Sequence, residues 1–535
     1  MIAKLAAANT IYYGDNLAVL REYVPDASVD LIYLDPPFNS NASYNVLFKA
    51  PEGHQSQAQI EAFDDTWHWT ESAEQAFDEV VHGPNSDVST MLMAMRAFLG
   101  TNDMMAYLAM MAVRLIELHR VLKSTGSLYL HCDPTASHYL KIVLDAVFGK
   151  ENYRNEITWK RTSAHSDSAR WGKNADIILF YTKSDKWKWV PIFTPYEEDY
   201  LKRFKNSDAD GRKWMDDNIT AKGLSGGGYT YEYKGVISLW RYPRESMERL
   251  DAEGRLHFTK SGKGIRLKRY LDESKGYPAQ SIWNDPAPIN SQSKERLGYP
   301  TQKPVALLER ILTASSNEGD VVLDPFCGCG TTLHAAAKLK RNWIGIDITH
   351  LAIGLIKRRL NEAFPKIAFD VVGVPKDVDG ARALAIQDKY EFQKWALSMI
   401  SAQPYKGGKK GGDGGIDGFL YFKPDGKKTE KAIVSVKGGA SLNPAMVKDL
   451  IVTADQEGAK MGVFLTLEPP TKGMVAQAAA AGFYKTDYGN FPKIQIVTVE
   501  QLFALTNPLQ MPWQDTSVFK KAKLEKTETQ SNLDL

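Results

Sequence analysis

Two hydrophobic periods alternate along the first third of the chain. Ile11-Tyr12-Tyr13 is a short apolar run ending at Gly14-Asp15, and Leu17 to Tyr23 follows with helical spacing. Val29 to Leu34 is a second run, nearly continuous in apolar side chains, the pattern of a strand buried on both faces. Farther on, Leu108, Met111, Ala112, Leu115 and Leu118 recur at helical spacing, so a helix is expected over 107–122, and Ser127-Leu128-Tyr129-Leu130 supplies the strand after it. A helix near His138 to Phe148 and strands at Glu156 to Trp159 and Asp176 to Tyr181 extend the series. Strands alternating with helices predict an α/β fold with a doubly wound, mostly parallel sheet. Within this series 39–102 lacks a strong period, and an insertion or a mobile lid is expected there.

The pattern changes between Trp187 and Asp285. Aromatic and basic residues interleave, among them Trp189, Tyr200, Arg203, Lys268 and Arg269, and Gly226-Gly227-Gly228 interrupts any regular element. Cations beside rings suit a nucleic-acid surface, with an irregular subdomain around its own aromatic core as the equal alternative. After Leu360, Val371 to Asp379 reads as a linker. A helix over 383–400 and strands at 419–422, 432–437, 462–467 and 494–499 then predict a second, smaller α/β domain. The expected boundaries are 1–184 and 291–370 for the two halves of the main domain and 185–290 for the segment between them. Residues 371–385 are the linker, 386–510 the smaller domain, and 511–535 a charged, polar tail expected to be disordered.

Composition narrows this picture only slightly. A chain of 535 residues with 43% hydrophobic and 24% charged residues is globular and too long for one core. The net charge of +2 neither requires nor excludes a polyanionic partner. Three cysteines, Cys132, Cys327 and Cys329, make no disulfide framework, and Cys327-x-Cys329 lacks the second pair a zinc site needs. No apolar run reaches the roughly eighteen residues of a membrane span, and Met1 to Asn9 is too short for a leader. A cytoplasmic location and no membrane association are expected.

Candidate chemistry lies where the Val29–Leu34 run ends. Asp35-Pro36-Pro37-Phe38 places a carboxylate, two conformationally fixed residues and a ring at one strand end. An exocyclic amino group there would donate to Asp35 and to a carbonyl, that of Pro36, while a flat heterocycle stacks on Phe38. The alternative for such a tetrapeptide is a proline turn with Phe38 in the core. A second stretch, Val321-Val322-Leu323, runs into Asp324-Pro325-Phe326-Cys327-Gly328-Cys329-Gly330-Thr331-Thr332, a strand-to-helix turn whose glycines let a ligand approach the backbone. About twenty residues on, Asp347 ends another strand, where an acid holds ribose hydroxyls in doubly wound folds. Asp324 would repel a pyrophosphate but accept an ammonium. Charge therefore favours S-adenosylmethionine over a dinucleotide.

Together these motifs resemble the β class of amino-methylating DNA methyltransferases, whose catalytic half precedes the cofactor half. Gly14-Asp15-Asn16 matches the family position that reaches the cofactor adenine, and Thr301-Gln302-Lys303-Pro304-Val305 is similar to the segment that closes over its methionine end. The resemblance implies a Rossmann-like methyltransferase with a target-recognition insertion, acting on double-stranded DNA by flipping out a base. It implies Asp35, Pro36, Pro37 and Phe38 as catalytic, and Asp15, Lys303, Pro304, Asp324, Phe326, Gly328, Gly330, Thr331 and Asp347 as cofactor-binding. Aspartate at position 35 points to adenine N6; cytosine N4 is the alternative.

The C-terminal domain is similar to the Mrr-type restriction-endonuclease-like fold, with Asp413, Asp417 and Lys437 as its candidate nuclease residues and Asp417 as the Mg²⁺ ligand if the site is active. Ser435 stands where that family has Glu or Gln, and serine is a poor Mg²⁺ ligand beside a carboxylate. Asp413 or Glu391 is the candidate replacement. The role expected is in restriction-modification or DNA defence, with a bifunctional methyltransferase/endonuclease as the alternative. A homodimer and a separate restriction subunit are both open as partners.

Overall fold

The computed structural model describes residues 9–37, 68–162, 171–221, 227–290, 293, 295–297, 299, 301–405, 415–425, 428–505, 508–512 and 522–525, and the backbone alone of 43–49 and 55–64. The chain divides into two compact units, Pro191–Gln280 and the remainder.

The larger unit is built on a sheet of nine described strands. Their order is Ile282–Trp283, Tyr153–Lys160, Ala175–Thr182, Leu122–Cys132, Val29–Leu34, Val321–Asp324, Asn342–Asp347, Thr10–Tyr13 and Asp370–Val372. From Leu122–Cys132 to Asp370–Val372 every neighbouring pair is parallel, whereas Ala175–Thr182 is antiparallel to both its neighbours. Val29–Leu34 and Val321–Asp324 are adjacent, Leu31 opposite Val322 and Ile32 opposite Leu323, so the two halves of the chain meet inside one sheet. Side chains of Val29–Leu34 alternate between two cores. Ile32 and Leu34 pack with Asn16–Tyr23, Asp103–Val121 and Ser137–Phe148, and Leu31 and Tyr33 with Val305–Ser315, Thr331–Lys338 and His350–Ala363. Burial on both faces accounts for the unbroken apolar run in the sequence.

Four expectations are corrected here. The segment 39–102 is neither wholly an insertion nor a lid: Ser43–Lys49 and Gln55–Asp64 pair as a hairpin, while Glu71–Val81 and Ser86–Leu99 are core helices. Phe77, Val80, Leu92 and Met95 from those helices enter the same core as Asp103–Val121. The stretch read as a linker begins with Asp370–Val372, which adds a strand beside Thr10–Tyr13, and the helix expected over 383–400 is two, Val378–Gln387 and Lys389–Met399, broken at Asp388. In the tail, Ala522–Glu525 is not loose: the Ala522 N–H donates to Glu362 at 2.7 Å and Glu525 lies 3.2 Å from His334. The rest of 513–535 lies outside the described residues.

The C-terminal region forms a five-stranded sheet in the order Gln403–Pro404, Gly418–Phe422, Glu430–Lys437, Met461–Thr466 and Ile494–Thr498, parallel over its last three strands. Its Ile416 and Phe419 share one buried apolar cluster with Tyr299, Cys329 and Leu355 of the main domain. Nearby, the Tyr13 hydroxyl donates to Glu391 at 2.8 Å, and its ring stacks on His350 at 3.9 Å.

The smaller unit has a four-stranded sheet (Leu256–Phe258, Ile265–Tyr270, Lys213–Asn218, Asn206–Ser207), a hairpin of Tyr229–Tyr233 with Val236–Trp240, and a core around Trp240, Met247 and Ile265. Several of its cations are already paired. Lys268 reaches Asp208 at 2.8 Å and Arg269 reaches Asp217 at 2.5 Å, both acids of the same unit, while Arg203 lies over the Tyr200 ring.

Candidate active site

In a parallel sheet the carboxyl ends of adjacent strands open onto one edge, and ligands gather where the chain order switches. Four strands here end in acids on that edge: Asp15 after Thr10–Tyr13, Asp35 after Val29–Leu34, Asp324 closing Val321–Asp324, and Asp347 closing Asn342–Asp347. All four line one cavity of about 270 Å³. Pro36, Pro37, Lys303, Phe326, Gly328 and Thr331 line it as well. Pro304 and Gly330 do not; each caps the helix that follows it. Phe38 lies outside the described residues.

The glycine turn is shaped for close approach. Gly328 has φ +49° and Gly330 φ +74°, conformations that favour glycine, and a Cβ on Gly328 would sit 3.2 Å from the Tyr299 ring. The Gly328 N–H donates to Asp347 Oδ2 at 2.9 Å, while the Thr349 N–H and hydroxyl donate to Oδ1. Burial raises the Asp347 carboxyl to about 6, these hydrogen bonds opposing the rise. Asp324 is more deeply enclosed, and burial raises it to about 7 despite hydrogen bonds from the Thr332 hydroxyl at 2.6 Å and the Phe326 N–H at 3.0 Å. A carboxyl held at that point ionises readily once a cation is placed against it.

Asp15, besides lining the cavity, holds two parts of the fold together. Its Oδ1 caps Asn16–Tyr23 by accepting from the Leu17 N–H at 2.8 Å, and its Oδ2 pairs with Arg114 at 2.7 Å. Arg114 also donates to Asn16 at 2.6 Å, and Asn16 donates to the Pro325 carbonyl at 2.9 Å. One buried arginine thus ties the N-terminal strand end to the glycine turn. An arginine within the otherwise apolar run 104–116 of the helix Asp103–Val121 was the signal that could have revealed it.

Asp35 is mostly enclosed, and its Oδ2 pairs with Lys303 Nζ at 2.5 Å. The sequence placed Lys303 with the cofactor; the structure also places it on the candidate catalytic carboxylate. Beneath Asp35, the Tyr33 hydroxyl meets His131 Nδ1 at 2.8 Å, and His131 Nε2 meets Asp176 at 3.1 Å, all buried. No sequence feature linked these three.

In the C-terminal domain both oxygens of Asp417 are engaged by protein donors. Gln393 donates to one oxygen, and the other accepts from the Val436 N–H at 2.6 Å and the Ser435 hydroxyl at 3.4 Å. Glu391, one candidate replacement for the missing acid, instead accepts from Tyr13 and Lys394. Asp413 lies outside the described residues, Lys437 ends the strand Glu430–Lys437, and no cluster of three metal-ligating side chains occurs among the described residues.

Comparison with known proteins identifies the families of both domains. Residues 29–358 match the DNA methylase family and residues 384–505 the restriction endonuclease family. Type II methyltransferase M.EcaI of Enterobacter cloacae is 32% identical over 364 residues, covering 67% of this chain and 70% of that protein. The StyLTI Mod subunit, from a type III restriction-modification enzyme of Salmonella typhimurium, is 31% identical over 349 residues, 62% of this chain and half of its own length. DNA adenine methyltransferase YhdJ of Escherichia coli is 24% identical over 374 residues, covering 70% of this chain and 90% of that protein. With two strand-end motifs from opposite halves of the sequence opening on one cavity, the chain belongs to the DNA methylase family, as an S-adenosylmethionine-dependent DNA methyltransferase followed by a restriction-endonuclease-like domain.

Proposed function

We propose that the chain methylates adenine N6 in double-stranded DNA, with Asp35 and the Pro36 carbonyl as the acceptors of the target amino group. The observation that carries this is the adjacency of Val29–Leu34 and Val321–Asp324, which sets Asp35 and the glycine turn on one cavity. S-adenosylmethionine fits the donor set: a cation suits Asp324, ribose hydroxyls suit Asp347, and a Cβ at Gly328 would crowd the Tyr299 ring. When bound, it supplies an electrophilic methyl group on a sulfonium.

The chain's own residues do the rest. An amino group in a duplex is paired and stacked, so the base must leave the helix at a cost of a few kcal/mol. A charge-assisted hydrogen bond to Asp35 offsets part of that cost, and Phe38 is proposed as the stacking surface. Asp35 and the Pro36 carbonyl draw the amino hydrogens toward themselves and leave the nitrogen lone pair to attack the methyl carbon. Once a bound cofactor had supplied its methyl group, the nitrogen would release one proton to solvent. Arg114, Asn16 and the turn at Gly328 hold the geometry, and positioning supplies most of the acceleration.

For the C-terminal domain the engagement of both Asp417 oxygens favours DNA binding over cleavage. A separate restriction subunit is proposed as partner, on the likeness to a type III Mod subunit. The test is nucleoside analysis of DNA exposed to the protein and S-adenosylmethionine. N6-methyladenine is expected, and N4-methylcytosine alone would overturn the choice of base.

A further inference from the structure

The cavity holds more acid than base. Asp15, Asp35, Asp324 and Asp347 face cations only from Arg114 and Lys303 among its described lining residues. Arg114 is committed, donating to Asp15, Asn16 and the Met110 carbonyl. Lys303 follows an anchored stretch of backbone and carries its charge at the end of a long side chain. The Gln302 side chain accepts from the Leu297 N–H at 2.7 Å and donates to the Glu295 carbonyl at 2.8 Å, while Glu295 caps Val305–Ser315 by accepting from the Val305 N–H at 2.5 Å. From this anchor a four-carbon stem carries the ammonium to Asp35, where it occupies one of the oxygens a target amino group would use.

We propose that Lys303 is a counter-ion shared between Asp35 and the carboxylate of the cofactor's amino-acid end, so that cofactor binding draws it off Asp35 and readies that oxygen for the base. The inference rests on the methyltransferase assignment and adds an order to it, cofactor before base. Without cofactor, Lys303 neutralises Asp35 and blocks it. A cofactor brings a carboxylate into a cavity where Lys303 is the cation best placed to meet it, and Asp35 and that carboxylate then compete for a single ammonium.

Competition of this kind is visible without DNA and without methyl transfer. Calorimetry would compare S-adenosylhomocysteine, which has the carboxylate, with 5′-methylthioadenosine, which lacks it, on the full chain. Lys303→Met is expected to weaken S-adenosylhomocysteine at least about tenfold. Asp35→Asn, by releasing the lysine, is expected to tighten it several-fold, and this gain should vanish in the double variant. Methylthioadenosine should bind all four proteins alike, which also shows that the cavity has folded. The proposal is overturned if Asp35→Asn leaves S-adenosylhomocysteine affinity unchanged or weaker, if its gain persists without Lys303, or if Lys303→Met weakens both ligands equally. A wild-type chain that binds neither ligand would sink the methyltransferase assignment itself and this proposal with it.

Discussion

At the scale of single residues, the site depends on carboxyls kept close to neutrality by burial. Asp324, at about 7, is partly protonated near neutral pH, and the cofactor's ammonium is what would ionise it. A group whose raised value falls when ligand binds makes affinity drop as pH falls through that raised value. S-adenosylhomocysteine should therefore bind several-fold more weakly at pH 6 than at pH 8, and Asp324→Asn should bind weakly with little pH dependence across that interval. Titration calorimetry at the two pH values checks both. The pairing of Asp35 with Lys303 was hidden because 268 residues separate them in the chain. Tyr33, His131 and Asp176 were equally illegible, since each sits on a different strand and only the register brings them together.

At the scale of elements, strand ends were readable and helix packing less so. The run Val29–Leu34 announced a doubly buried strand, and the glycines after Val321–Asp324 announced a strand-to-helix turn, because apolar continuity and glycine placement are local signals. Glu71–Val81 has a helical period in Ala73, Ala76, Phe77 and Val80, but its short apolar stripe gives a weak pattern beside the long Asp103–Val121. Asp370–Val372 is a three-residue edge strand, too short for periodicity to mark. The turn also yields a stability prediction. Gly330 has φ +74°, and a Cβ there would come within 2.9 Å of Ile356, so Gly330→Ala should destabilise the fold by about 1–3 kcal/mol, read from denaturant unfolding. Arg114→Met should cost about 1–2 kcal/mol, since Asp15 is nearly half exposed and solvent screens the pair. It should weaken S-adenosylhomocysteine as well, by loosening the Asn16 to Pro325 link.

At the scale of the whole molecule, the larger unit carries two α/β sheets that share an apolar wall. Tyr299 and Cys329 line the cavity proposed for the cofactor on one side and pack with Ile416 and Phe419 of the C-terminal domain on the other. Removing residues 378–535 would expose that wall, so the truncated protein should melt several degrees lower and aggregate sooner in a scanning experiment. Incubating DNA with the intact chain and Mg²⁺ should give no Asp417-dependent cutting, because Gln393, Val436 and Ser435 engage that carboxylate and no cluster of three metal-ligating side chains surrounds it among the described residues. Composition could not foretell the shared wall: the residues on either side read as ordinary core positions of two separate domains. The family motifs were legible because their chemistry requires particular residues next to one another in sequence. The interface between domains imposes no such local order.

The most direct measurement is transfer of a labelled methyl group from S-adenosylmethionine to DNA by the wild-type chain and by Asp35→Ala, with S-adenosylhomocysteine affinity measured on the same preparations. If Asp35 and the glycine turn form one site, the variant should lose transfer by about 10²-fold or more while its affinity for S-adenosylhomocysteine is not weakened. Transfer that survives the substitution, or cofactor affinity that disappears with it, would contradict that arrangement.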